Sequence, residues 1–206
     1  MRRNKVLSDL QAAGHNLGQD LVGTSIQPTP VQRLPVIFRP SQKLCTKIKA
    51  GPLQAAPLDE NPFADWSAHV FVVERTQYIL VSNTKSLYST VLLGKGITNE
   101  SHFINHALSG IRSSLDAYGL ASVYDRFVAP ASETVRFVKA LDRSVTSSLN
   151  QLIFHATAIM IDDQLSPHDL GRELNDILMS ACVVGGQEKY GTPREAFGEM
   201  VNRVKL

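Results

Sequence analysis

The sequence predicts a single α+β domain in which an antiparallel β-meander packs against two or three α-helices. The first observation is a period of two in the stretches between Trp66 and Leu93, which is typical of strands with one buried face. The second is the helical period of three and four in most of the chain that follows. Because strands come together before the helices, a doubly wound parallel sheet is not predicted.

The predicted domain begins with a short strand, Val36–Arg39, which ends at Pro40. The next piece, Leu44–Lys49, is interpreted as a strand that runs into a helical turn, with Thr46 as a possible N-cap. An irregular, proline-containing loop then extends to Pro62.

Three strands follow, and they form the predicted meander. They span Trp66–Val72, Tyr78–Ser82 and Leu87–Leu93. The connections between them are short and polar, as in antiparallel hairpins. The three strands should therefore be neighbours in one sheet.

Helices and one later strand complete the domain. The first helix carries its apolar face at Ile104, Leu108, Ile111 and Leu115, and a strand is expected within Glu133–Ala140. A second helix begins near Asp142 or Ser144, either of which can cap it.

A third helix begins at Ser166-Pro167, with a capping hydroxyl and a proline in its first turn. Its predicted buried stripe runs through Leu170, Leu174, Ile177, Leu178 and Ala181. Outside the α+β domain of residues 36–184, we expect a flexible N-terminal extension over residues 1–35. Residues 185–206 are expected to form a polar C-terminal tail with at most a frayed helix.

Composition excludes several classes of protein. With 206 residues the chain is long enough for a real core, and it has no apolar run near the roughly 20 residues that span a bilayer. Its two cysteines do not make a disulfide framework, so a cytoplasmic location is expected. A formal net charge of +2 does not indicate a nucleic-acid partner, although a local basic face is not excluded.

One cluster of polar residues at a helix start is the candidate ligand site. Arg143, Ser147 and Asn150 are spaced i, i+4 and i+7, so they share one stripe of the helix that begins near Asp142. Arginine can hold a carboxylate or phosphate through two parallel N–H bonds, and asparagine both donates and accepts. The alternative is structural: Arg143 pairs with a nearby acid while the other two bond to loops.

Trp66 and Asn83 are weaker candidates for ligand binding. A lone tryptophan on an apolar strand face is most often a core residue, and a ligand-stacking role is the alternative. Asn83 is most simply a turn residue that tolerates unusual dihedral angles.

No catalytic, metal or cofactor site is predicted. His102 and His106 are four residues apart on a helix, but no third ligand is evident and a solvated surface fits them better. His69 or His155 would have to act as the base if the protein were an enzyme. No nucleophile motif accompanies either of them.

Four short pieces of sequence occur in a specific order and carry a resemblance to a known family. They are Cys45-Thr46-Lys47, Trp66-Ser67-Ala68, Asn83-Thr84 and the helix start Asp142–Asn150. In this order they resemble DUF6933, an uncharacterised bacterial family of domains of unknown function, over about residues 36–182. Asp142 stands where that family has asparagine, and Thr146-Ser147 stand where it has Leu-Gly. The resemblance implies the domain limits and no particular reaction.

The sequence thus favours a non-catalytic binding or regulatory module of unknown ligand. Its recognition groups, Arg143 and Asn150, would lie at the mouth of a groove between the Asp142 helix and the sheet. The partner would be a protein or a small anionic ligand. One alternative is an enzyme acting on a phosphorylated or nucleotide-like small molecule. Another is a nucleic-acid-binding accessory protein, which needs one exposed basic face made of Arg33, Arg39, Lys43, Lys47 and Lys49.

Overall fold

A computed structural model describes residues 34–182 and 189–204, which belong to one compact unit, Arg33–Leu206. Its strands are β1 Val36–Pro40, β2 Asp65–Val73, β3 Thr76–Asn83, β4 Ser89–Leu93 and β5 Val135–Phe137. Its α-helices are α1 Gln42–Ile48, α2 Glu100–Ala117, α3 Ala121–Val123, α4 Arg143–Asp163, α5 Pro167–Leu174 and α6 Pro193–Arg203. Short 3₁₀ turns span Pro62–Ala64, Pro130–Glu133 and Ser180–Cys182, and a π-helical turn spans Tyr124–Val128. The predicted N-terminal extension lies almost wholly outside the described residues.

The fold is α+β as predicted, but its sheet is mixed. The strand order is β4-β3-β2-β1-β5, and β2, β3 and β4 form the predicted antiparallel meander. The prediction of a purely antiparallel sheet is wrong, because β1 pairs in parallel with both β2 and β5. These pairings join segments far apart in sequence, and local periodicity does not report them. The described residues also form more helices than the two or three expected.

The sheet separates two hydrophobic clusters, because alternate residues of each strand point to opposite faces. On the first face, Phe38, Trp66, Ala68 and Ile79 pack with residues of α1, α2 and α6. On the second face, Phe71, Leu80 and Val91 pack with residues of α4 and α5. His69 lies two residues before Phe71 and therefore belongs to the second face.

The helix α1 replaces the strand that the sequence predicted within Leu44–Lys49. Ser41 caps it, with its Oγ accepting from the Leu44 N–H at 3.4 Å, so Thr46 is not the N-cap. Leu44, Cys45 and Ile48 are its buried residues, which is the spacing of one helical face. The prediction was wrong because a piece this short offers too few residues to separate the two periods.

The caps of α4 and α5 confirm the predicted helix starts. The Asp142 carboxylate accepts from the Val145 N–H at 2.9 Å, and the Ser166 hydroxyl accepts from the Asp169 N–H at 3.2 Å. The predicted continuation of α5 to Ala181 is wrong. The helix ends at Leu174, and Leu178 is 68% exposed.

The side chain of Asn175, the first residue after α5, binds the edge of β4. Its Oδ1 accepts from the Ser89 N–H at 2.7 Å, and its Nδ2 donates to the Ser89 carbonyl at 3.0 Å. A buried amide thus takes the place of a neighbouring strand at the outer edge of β4. Gly171 brings α5 against the same strand, because a Cβ there would lie 3.3 Å from the Val91 nitrogen. This sheet edge is therefore covered by α5.

The helix α6 forms where the sequence indicated a polar tail. Thr192 and Glu195 make a reciprocal capping box at its start, and Phe197, Met200 and Val201 are buried. The Phe197 ring lies 4.7 Å from that of Tyr88, measured between centroids. The structure thus differs from the expectation of a frayed helix, because tertiary contacts stabilise a short apolar face among polar neighbours. The limits of the domain remain a prediction.

A buried ion pair fixes the end of β1 and the loop beside it. The Arg39 guanidinium donates to both carboxylate oxygens of Asp65, at 2.8 and 2.7 Å. Its remaining donors reach the carbonyls of Ala56, Pro57 and Lys139. Both charged side chains are fully buried. Since β1 leads directly into α1, this pair also helps to position α1.

Candidate functional site

A groove of about 840 Å³ lies between α1, β2 and α4. It corresponds to the predicted groove between the Asp142 helix and the sheet. Its lining comes from the start of α1, from the second half of β2 and from one side of α4. The lining residues are Ser41, Gln42, Lys43, Thr46, Lys47, His69, Val70, Phe71, Val72, Gln77, Asn150, Ile153 and Thr157.

The groove exists because β1 is shorter than β2. Pro40, the last residue of β1, is paired with Ala68. The chain then leaves the sheet, and the Ser41 N–H donates to the Ala68 carbonyl at 2.8 Å before α1 begins. From Val70 to Val73, β2 continues beside β3 but has no neighbour on its other side within the described residues.

The exposed edge of β2 carries backbone groups that have no partner among the described residues. In a strand, the N–H and C=O of one residue point to one edge, and those of the next residue point to the other. The Ala68 carbonyl points toward β1, so the backbone groups of Val70 and Val72 face the same way, into the groove. Those of His69 and Phe71 point toward β3.

The charged side chains that line the groove are Lys43 and Lys47, both of them positive. Lys47 donates to the neutral Gln77 Oε1 at 2.8 Å, so its charge is not compensated by that bond. Lys43 is exposed and makes no ion pair with any described residue. No carboxylate occurs among the described residues that line the groove. An anionic ligand would therefore meet two positive charges.

His69 is the most unusual residue of the groove. Its side chain is only 8% exposed, yet no described residue forms a hydrogen bond with its ring. Burial lowers the pKa of His69, because desolvation disfavours the imidazolium form. A neutral imidazole carries one donor and one acceptor nitrogen. No buried side-chain nitrogen or oxygen of the described residues lacks a hydrogen-bond partner, so the unpartnered ring nitrogens of His69 are atoms that water, or a ligand in the groove, can reach.

The hydroxyl groups in the groove do not form a nucleophile–base pair with His69. Thr46 donates to the Gln42 carbonyl at 3.1 Å, and Thr157 donates to the Ile153 carbonyl at 2.8 Å. Ser41 caps α1. Each hydroxyl is thus engaged with the backbone of its own helix, and no hydrogen bond joins one to the imidazole within the described part of the chain.

Of the three residues predicted on the α4 stripe, only Asn150 lines the groove. Arg143, Ser147 and Asn150 are all exposed. Arg143 lies about 10 Å before Asn150 along the helix axis. Asp142 already satisfies the helix start with its own carboxylate, which disfavours a second anion at that position. Arg143 makes no ion pair with any described residue, so the structural alternative of an ion pair is not observed.

Trp66 and Asn83 lie in the interior and away from the groove. Trp66 is fully buried, and its Nε1 donates to the Phe63 carbonyl at 2.9 Å. Asn83 is also fully buried: its Nδ2 donates to the Pro62 carbonyl at 2.6 Å, while its Oδ1 accepts from Ser86. Trp66 is thus a core residue, and Asn83 supports the turn after β3 through its side-chain hydrogen bonds, while its own backbone does not adopt a positive φ.

The other histidines do not assemble a site. His102 and His106 lie on the exposed side of α2, and each contacts a backbone carbonyl, of Gly96 and of His102 respectively. His155 is half-buried on α4 beside the Phe154 ring and does not line the groove. Across residues 34–182 and 189–204, no three potential metal ligands are grouped.

The basic face that nucleic-acid binding was expected to need does not form as specified. Arg39 is fully buried in its ion pair with Asp65. Arg33 lies outside the described residues. Lys43 and Lys47 instead line the groove. From the sequence, Lys43 and Lys47 were considered for nucleic-acid binding. Their position beside His69 could not be predicted, because it depends on where β1 ends.

The described helices include none that is both long enough and apolar enough to cross a membrane.

A second, smaller cavity of about 470 Å³ lies between β4, α2 and the start of α5. Its lining includes His106 and His168, both of which are exposed.

Comparisons with known proteins bear on the family alone. No curated protein and no solved structure matches the chain. A family described as Domain of unknown function (DUF6933) matches residues 37–196, which is most of the chain and agrees with the resemblance seen in the sequence. The chain therefore belongs to the DUF6933 family.

Proposed function

We propose that the protein is a non-catalytic binding module that holds the negatively charged part of a ligand in the groove between α1, β2 and α4. One observation carries the proposal: two lysines without acidic partners and a nearly buried, unpartnered imidazole line the same groove. Asn150 adds a side chain that can donate and accept at the rim. Arg143 would contact only a ligand that extends along α4 beyond the groove.

The proposal is tested by titration with two anionic probes, inorganic phosphate and glutarate, monitored in ¹H–¹⁵N NMR spectra of the full chain. We expect saturable shifts that include the backbone amide of Lys43 and the side-chain amide of Asn150. The Lys43→Glu variant should weaken binding about fivefold to thirtyfold, because it removes an attraction of about 1 kcal/mol for a charge pair at about 4 Å in water and adds a repulsion of up to about the same size.

The matched control is Lys85→Glu. Lys85 is exposed in the turn after β3, and the variant makes the same change of charge away from the groove. It should bind the probes as the unmodified protein does. If both variants respond identically, or if neither probe saturates, the groove is not an anion-binding site.

A second candidate is an enzyme acting on a phosphorylated or nucleotide-like small molecule, with His69 as its general base. The observation that favours it is the neutral His69 imidazole in a groove of ligand size. Release of phosphate from p-nitrophenyl phosphate or AMP, abolished by His69→Gln, would support this candidate. The binding-module proposal predicts no turnover.

The setting proposed for this module is the bacterial cytoplasm. Cys45 and Cys182 are both buried free thiols, which supports a reducing compartment.

A further inference from the structure

We infer that the groove is a strand-addition site, which takes an extended acidic peptide segment of a partner protein and pairs it with β2 at Val70–Val72. This inference rests on the proposed function, because it names the class of ligand that the same groove would hold. Strand addition needs an open sheet edge, room beside it and side-chain contacts that select the peptide. The structure provides each of these in turn.

The open edge is the part of β2 that extends beyond β1. The backbone N–H and C=O groups of Val70 and Val72 face the groove, and no described residue bonds to them there. An added strand can continue the line of β1 past Pro40 and pair with these groups. At about 3.3 Å per residue, Val70–Val73 spans about 13 Å, which suits a paired segment of four or five residues.

The edge of β4 is covered, whereas the edge of β2 between Val70 and Val73 is not covered by any described residue. At β4, the buried Asn175 amide occupies both backbone groups of Ser89, and α5 lies against Val91. Proteins commonly cover exposed strand edges, because such edges pair with other chains. β2 has no corresponding cover among the described residues between Val70 and Val73.

The two walls of the groove differ, and they select the side chains of the added strand. Val70 and Val72 share the α1 side of the sheet, where Lys43 and Lys47 lie. His69, Phe71 and Ile153 lie on the α4 side. Val72 is 54% exposed and offers apolar surface to the added strand. Because a strand alternates its side chains, the best ligand places acidic residues toward α1 and apolar or hydrogen-bonding residues toward α4.

A peptide of alternating Glu and Val, acetylated and amidated at its ends, is the direct probe. Its binding to the full-length protein is measured by fluorescence polarisation. Two methylated versions accompany it, one with N-methyl groups on every Glu and one with N-methyl groups on every Val. Because the N–H groups of alternate residues point to opposite edges, each version blocks one edge of the peptide and leaves the other intact.

We expect one methylated peptide to bind about tenfold or more weakly than the parent peptide, since it cannot form two or more of the hydrogen bonds to β2. The other should bind within about threefold of the parent peptide. A peptide with Lys in place of Glu should not bind. If both methylated peptides bind like the parent, or both lose binding equally, recognition does not use one strand edge and the inference is overturned.

The Val72→Pro variant tests the protein side of the pairing. Proline removes the N–H that faces the groove and leaves the β2–β3 hydrogen bonds in place, because Val72 does not donate toward β3. We expect about tenfold weaker peptide binding, and an unchanged circular dichroism spectrum reports that the variant has folded. If this variant does not fold, the two methylated peptides still test whether the ligand pairs with β2 through one of its edges.

The outcomes separate the two proposals. If glutarate binds but the peptide does not, the strand-addition inference fails while the proposed function stands. If neither binds, both fail.

Discussion

Replacing Asp65 with alanine should be among the most destabilising single changes in this protein. The Arg39 guanidinium makes five hydrogen bonds, two of them to the Asp65 carboxylate, and both side chains are fully buried. Asp65→Ala removes the countercharge and leaves a buried cation with three carbonyl partners. Breaking a buried pair in this way costs about 3–5 kcal/mol of the free energy of unfolding.

The measurement is urea unfolding followed by circular dichroism. With an m-value of about 2–3 kcal/mol/M, the midpoint for Asp65→Ala should fall by about 1–2.5 M. The control is Arg112→Ala, whose half-exposed guanidinium lies 3.8 and 3.4 Å from two acids and should contribute about 1 kcal/mol or less.

A double variant removes both charges of the pair and tests whether the unpaired charge causes the loss of stability. Arg39→Met/Asp65→Leu removes both charges, and only neutral backbone groups, the carbonyls of Ala56, Pro57 and Lys139 and the Asp59 N–H, lose a partner. The double variant should therefore be more stable than Asp65→Ala alone, because it leaves no unpaired buried charge. A loss of less than 1 kcal/mol for Asp65→Ala, or a simple sum of effects in the double variant, would refute this account of the pair.

Further predictions concern the β4 edge, the thiols and the buried imidazole. Asn175→Ala should lower the free energy of unfolding by about 2–3 kcal/mol and promote self-association, because it uncovers the backbone of Ser89; urea unfolding and light scattering report both effects. Burial, with Glu195 nearby, raises the pKa of Cys182 to about 12, and burial also raises the pKa of Cys45. At pH 8 only about one Cys182 in ten thousand is a thiolate, so a disulfide reagent should label it far more slowly than a free thiol. Because the pKa of His69 is lowered on folding, the unfolded chain binds more protons at low pH. The free energy of unfolding should therefore fall as pH drops below about 6.5, and His69→Gln should reduce this dependence. Rapid labelling in the native state, or an unchanged pH profile in the variant, would contradict these two predictions.

Local signals in the sequence predicted the meander and the helix starts well. The period of two between Trp66 and Leu93, and the caps at Asp142 and Ser166, correspond to observed elements because each depends on a few neighbouring residues. The parallel partners of β1 were missed, since nothing local in Val36–Pro40 specifies a strand about 100 residues later. The helix α6 was missed because its polar residues outnumber the apolar ones that tertiary packing buries.

The ligand site beside the Asp142 helix stays a prediction, and of the five residues proposed for it only Asn150 lines the groove. A groove beside the Asp142 helix was expected, and Asn150 lines it. His69, Lys43 and Lys47 were considered for other roles, because their meeting in one groove depends on β1 ending at Pro40 while β2 continues. Pro40 was the available signal, since a proline that ends a strand beside a longer one leaves the longer strand's edge open.

Hydrogen exchange at β2 tests the central claim most directly. In the free protein, the amides of His69 and Phe71 should be protected by their bonds to β3, while those of Val70 and Val72 should exchange rapidly. The alternating Glu–Val peptide should slow exchange at Val70 and Val72 by tenfold or more and leave Lys85 unchanged. Protection of Val70 and Val72 without ligand, or no response to peptide at saturation, would contradict the claim that this edge is an open ligand site.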